Sequence, residues 1–417
     1  MKCWLTLLVC CLLRSPVLLA QPTQPARTKA EFEAYFIAMQ EQVQPLVAAK
    51  QYSQVLALYA DWHKAYDALE QPVKQEFKSN LPNLYYNEAC YYALAQDRPH
   101  ALASFQRAIS SGYRNYAHAK TDTDLDFIRN DKGFQSQMAA IREKGDYLYI
   151  LQQTKGYTAQ SKQPLPAFTY QTADEPHLVA LRKTYKLDSV AGAGNEVSRM
   201  INLLHWVHEL VPHDGNHNNP PARNAQDFIR VCQRDKRGLN CRGLATVLNE
   251  VYLAMGYKAR FVGCLPKDTT DSDSHVINIV YSTTQNKWLW MDPTHDAYVM
   301  NEQGNLLSVE EVRERLINGK PLLLNPAANW NHRESTTKEH YLYQYMAKNL
   351  YQLESPVSSQ YDLETRREGK RIDYIRLLPA ANNEKPVRIT QVGTTTLTSH
   401  ATTAPAAFWQ KPLGDEE

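Results

Sequence analysis

Residues 237–262 read "RGLNCRGLATVLNEVYLAMGYKARFV". Leu244, Val247, Leu248, Val251 and Met255 recur at helical spacing, and Gly256 stands where such a helix would stop. Asn240 is a favoured N-cap residue. Cys241 therefore falls in the first turn, where unpaired backbone N–H groups and the helix dipole favour negative charge. A thiolate is stabilised at such a position and becomes a better-populated nucleophile. A small buried thiol packed under a loop would satisfy the same position, so the surrounding chain has to decide.

Beyond Gly256 the apolar period changes from 3.6 to 2, and "YKARFVGC", "HVINIVYS" and "KWLWMDPT" are expected as strands. The last two are joined by "TTQN", a four-residue hairpin loop. If Ser282 pairs with Lys287, His275 and Asp292 become diagonal neighbours on one sheet face. Diagonal backbones are ~7–8 Å apart, close enough for an imidazole and a carboxylate to meet. A helix N-terminus packed on that sheet would bring Cys241 to the other ring nitrogen, giving nucleophile, base and orienter in chain order.

These stretches, "GLNCRGLATVLNEVYLAMGYKARFV", "SHVINIVYS" and "WLWMDPTHDAYV", resemble the transglutaminase-like superfamily of papain-like cysteine enzymes. "INLLHWVHELVPHDG" looks like that family's leading helix, so the resemblance covers roughly residues 180–320. It implies Cys241 as nucleophile, His275 as general base and acid, and Asp292 as orienter. It implies an upstream side chain beside the nucleophile's N–H for the oxyanion; Asn224 and Trp206 are the candidates considered, without an assignment.

Working outward, residues 28–152 read as helix. In "LYYNEACYYALAQDRPHALASFQRAISSGY", Tyr85, Ala89, Tyr92, Ala101, Phe105 and Ala108 fall at the offsets of a tetratricopeptide (TPR) repeat, which the region resembles. A plain helical bundle is the alternative. The expected fold is α+β: a TPR-like helical domain at 28–152, a papain-like, transglutaminase-like domain at 160–345 with a helix packed on an antiparallel sheet, and a small C-terminal β appendage at 346–417. The strands expected in that appendage, "RIDYIRLLP" and "VRITQVGTTTL", carry no chemical signature.

"MKCWLTLLVCCLLRSPVLLAQPTQP" resembles a secretory signal peptide over residues 1–20, and export, periplasmic or extracellular, is expected. No other apolar run is long enough to cross a bilayer. Lys+Arg is 46 against Asp+Glu 44, a near balance that gives no support for nucleic acid as partner. Past the leader the cysteines are Cys90, Cys232, Cys241 and Cys264, too few for a disulfide framework in so long a chain, with Cys232–Cys264 a candidate pair. His205, His208, His213 and His217 lack a partner of diagnostic spacing for a metal site, and Asp268, Asp271 and Asp273 lack the glycine and glutamate of a calcium loop. Neither a metal nor a cofactor is expected.

The expectation is a hydrolase acting on protein or peptide amides through a Cys241 thioester, with substrate presented by the helical repeats. A protein cross-linking transglutaminase and a catalytically inactive binding module are the alternatives. Water is favoured over an amine because "PKDTTDSDS", beside His275, is polar and expected to be mobile, whereas Trp288 and Trp290 are more simply sheet packing than the walls of an acceptor tunnel.

Overall fold

The computed structural model describes residues 28–154, 156–161, 163–381 and 385–412. The leader expected at 1–20 lies outside them. Two compact units divide between Asp146 and Tyr147.

The first unit is helical, with helices at Lys29–Ala48, Tyr52–Asp67, Gln71–Phe77, Leu81–Leu94, Arg98–Ser110, Tyr116–Thr121 and Lys132–Gly145. A capping box between Thr28 and Glu31 starts the first of them. Phe32, Trp62, Tyr66 and Phe77 form one aromatic core. A second core gathers Ala89, Ala93, Ala101 and Ala108 with Tyr86 and Phe105. The alanines let Leu81–Leu94 and Arg98–Ser110 approach, and the rings fill what is left between them.

The second unit is built on a seven-stranded sheet. Its strands are β1 (Ala259–Leu265), β2 (His275–Ser282), β3 (Lys287–Met291), β4 (Gln352–Pro356), β5 (Arg371–Leu377), β6 (Val387–Val392) and β7 (Thr395–Thr402). They lie in the order β6-β7-β5-β4-β1-β2-β3, and every neighbouring pair is antiparallel except β5 with β7. Ser282 pairs with Lys287, the register expected for the hairpin.

Alternation along the strands separates two cores. Val262, Cys264, Ile277, Ile279, Trp288 and Trp290 face a layer containing the helix Val309–Ile317 and the helical stretch 338–349. Ala259, Val280, Leu289 and Met291 face the helix Cys241–Ala254, which is backed by the helices Glu196–Leu210 and Ala225–Asp235. The cysteine helix ends where expected. Gly256 takes a left-handed φ of 82°, and the Tyr257 and Gly256 N–H groups donate back to Tyr252 and Leu253, a Schellman closure.

Three expectations need correction. The C-terminal stretch is no appendage: β4 to β7 extend the same sheet, because β4, in "QLESP", pairs with β1 on one side and β5 on the other. Residues 147–152, placed with the first domain, form a helix whose Leu151 joins the core of the second unit. Cys232 and Cys264 are both free; they belong to the cores on opposite faces of the sheet.

Candidate active site

Cys241 is the first residue of its helix, and the turn before it is clamped. Asn240 Oδ1 accepts the Gly243 N–H at 3.2 Å. Asn219 donates to that same oxygen at 2.7 Å and accepts the Asn240 N–H at 3.1 Å. A Cβ on Gly243 would lie 2.8 Å from the Asn219 amide, which would have to shift and loosen this clamp.

His275 opens β2, and its Nε2 is 2.7 Å from Asp292 Oδ2, just past the end of β3. Both side chains are buried. Asp292 is further held by the Tyr341 hydroxyl at 2.5 Å and by the Thr294 N–H at 2.8 Å. With Nε2 engaged, Nδ1 is the His275 nitrogen left for Cys241, and the two groups lie close enough for each to shift the other's protonation. Of the three residues singled out in the sequence, His275 and Asp292 are joined directly, and Cys241 interacts electrostatically with His275.

A fourth comes with them. His213 also acts on the Cys241 thiol and lowers its pKa. Its segment runs beside Leu239, with Asp214 N–H donating to the Leu239 carbonyl at 2.7 Å and Leu239 N–H to the Pro212 carbonyl at 3.1 Å. Asn331 grips the His213 backbone through both its N–H (2.7 Å) and its carbonyl (2.8 Å). Trp330 Nε1 donates to His213 Nδ1 at 3.2 Å. A neutral ring in that contact carries its proton on Nε2, the nitrogen left to face the thiol.

The electrostatics follow from this packing. Burial would raise the Cys241 pKa, but polar interaction with His213 and His275 and the charge of the His275 ring outweigh it and hold the thiol at about 6. Burial would lower His275; the Asp292 carboxylate and the thiolate outweigh that and raise it to about 10. Asp292 stays well below the usual carboxylate range, because His275 and the Tyr341 hydroxyl more than offset its desolvation. Between about pH 6 and 10 the arrangement holds a thiolate beside an imidazolium. Neighbouring His295 is pushed down to about 4, chiefly by burial, and is neutral there.

Asn224 and Trp206 do not join this group. Asn224 caps the helix Ala225–Asp235 and bonds Asp227 and Asp362; Trp206 packs on Tyr185. The other histidines of the 205–217 cluster disperse: His205 bonds Asp296, and His217 bonds Asp214. His208, Glu209 and His332 approach one another closely enough to suggest metal ligands. Both His208 nitrogens are already 3.0 Å from oxygen acceptors, the Pro293 carbonyl and Asn329 Oδ1. The loop beside His275, expected to be mobile, is tied down by the buried Lys348 ammonium, 3.2 Å from Asp271 and 2.7 Å from Asp273.

The profile of the transglutaminase-like superfamily matches residues 183–293, which carry Cys241, His213, His275 and Asp292. Among solved structures, the chain is similar to a candidate cysteine protease from Cytophaga hutchinsonii, with 13% identity over 35% of this chain and 48% of that one, at a TM-score of 0.23. The match thus spans about half the length of that protein. A comparison with curated proteins gives no match.

Proposed function

We propose that the transglutaminase-like domain is a cysteine enzyme that cleaves protein or peptide amides through an acyl-thioester on Cys241, with water as the favoured acceptor. The observation that carries this reading is the His275 imidazole locked on the buried Asp292 carboxylate, with the Cys241 pKa lowered by His275 and His213. In the first step the Cys241 thiolate attacks the amide carbonyl and a C–S bond forms. The oxyanion is met by N–H groups at the start of the cysteine helix and by the His213 Nε2–H. His275 gives its proton to the departing amine as the C–N bond breaks. Neutral His275 then takes a proton from water, hydroxide adds to the thioester, and the acid leaves with the thiol regenerated. Asp292 holds the ring and balances its charge throughout.

Water is favoured on two observations. Trp288 and Trp290 are buried in the core on the sheet face away from the cysteine helix, so neither walls a dry tunnel for an amine. The loop beside His275 is polar, with Asp273 mostly exposed. The tetratricopeptide-like reading of the helical unit makes that unit the platform for a protein substrate, and the leader-like start makes the protein an exported one. Among the described residues no helix is long and apolar enough to cross a membrane.

The test uses p-nitrophenyl acetate as acyl donor. The expected result is a burst of nitrophenolate, an acetyl group on Cys241 by peptide mass mapping, and release of more acetate than amide at millimolar primary amine. No acetyl group on Cys241 and no burst beyond that of Cys241→Ala would leave the binding-module reading. Amide in excess over acid would make the protein an acyltransferase.

A further inference from the structure

The cysteine helix packs on β1 to β3, and β5, β6 and β7 lie further along the same sheet. A cleft of about 300 Å³ lies there, lined by alternate residues of these three strands and by Arg242, the residue after the nucleophile. Ile372, Tyr374 and Leu397 line it and belong to the apolar cluster against which Cys241 itself packs. The cleft is therefore a neighbour of the reactive thiol, built from strands that looked chemically silent in the sequence.

Its charge is one-sided. Four arginines line it, Arg223, Arg242, Arg366 and Arg388, against two glutamates, Glu354 and Glu364. Glu364 is already committed: it accepts Arg242 Nη1 at 2.6 Å and the Tyr374 hydroxyl at 2.8 Å, with Arg223 at 3.9 Å. Glu354 lies 3.9 Å from Arg376, outside the cleft. Arg366 and Arg388 are exposed, and neither has an ion-pair partner among the described residues. The guanidinium of Arg223 is destabilised by burial and by the like charges of Arg366 and Arg242, which Glu364 only partly offsets. A concave wall with two positive charges in excess concentrates anions, and guanidinium forks match carboxylates.

We propose that this cleft binds an acidic side chain of the substrate, so that the thiol acts on peptides carrying glutamate or aspartate near the amide it attacks. This specificity rests on the cysteine-enzyme reading for its meaning, but the recognition itself requires no turnover. It is measured by calorimetry on the full chain carrying Cys241→Ala, with an acetylated and amidated peptide alternating glycine with glutamate, and with its glutamine counterpart. At low salt the glutamate peptide is expected to bind at least tenfold tighter, and the double variant Arg366→Gln/Arg388→Gln to abolish the difference. Both substitutions are at exposed positions, so the fold is kept. Equal affinity for the two peptides, or a preference that survives in the double variant, overturns the proposal. Either result leaves the acetyl-transfer test of Cys241 untouched, and failure of that test leaves this binding difference measurable.

Discussion

Asp292 is shut off from solvent and accepts hydrogen bonds from His275, Tyr341 and the Thr294 N–H. Replacing it with asparagine keeps the shape but puts an amide donor among three donors and removes the charge that sustains the imidazolium. Asp292→Asn is expected to fold and to lose turnover of p-nitrophenyl acetate by about 100-fold or more, within the range of a lost acid–base contribution. Turnover within twofold of the parent would reduce Asp292 to a turn residue. The three residues of this site were legible because each sits at an element boundary: a capped helix start, a strand start and a strand end joined by a short loop. His213 was not legible. It stands among His205, His208 and His217, and only the pairing of its backbone with Leu239 selects it.

At the scale of elements, the β2–β3 hairpin is held by a helix. Glu196, in the first turn of Glu196–Leu210, accepts the Ser282 hydroxyl at 2.6 Å, the Thr283 N–H at 2.9 Å and the Thr284 N–H at 3.1 Å. Desolvation opposes its charge, but these donors outweigh it and pull the carboxyl down to about 2. The folded value is below the unfolded one, so the contribution to stability is present above about pH 4.3 and is lost as pH falls through about 2. Glu196→Gln is expected to lower stability by about 1–2 kcal/mol at pH 7. In urea titrations the gap to the parent should close by about pH 2; a constant gap would show that the ionised form is not what matters. The hairpin register was legible from loop length and alternation. The grip of Glu196 was not, since 86 residues separate it from Ser282.

For the whole molecule, the order of strands decides what can be cut away. β4 lies between β1 and β5, so the sheet on which the site rests is completed by chain from beyond residue 350. Arg260 of β1 is buried, and one of its terminal nitrogens donates to the Phe408 carbonyl at 2.5 Å, fastening the end of the described chain to the centre of the sheet. A protein ending at residue 345 is expected to lose cooperative unfolding in urea and near-ultraviolet ellipticity. A sharp transition in that fragment would return the C-terminal stretch to the status of an appendage. The alternation of "RIDYIRLLP" and "VRITQVGTTTL" marks strands, but which sheet they join depends on "QLESP", a short run with glutamate and proline that reads weakly as a strand.

The central claim, a Cys241 thiolate paired with His275, is tested most directly by the rate of alkylation with iodoacetamide as a function of pH, read at each cysteine by mass spectrometry. Cys90, Cys232 and Cys264 are buried and serve as references within the same molecule. The predicted result is a Cys241 rate that rises with a midpoint near pH 6 and there exceeds that of a free thiol and of the three references. A midpoint above pH 8, with Cys241 no faster than Cys90, would contradict the account.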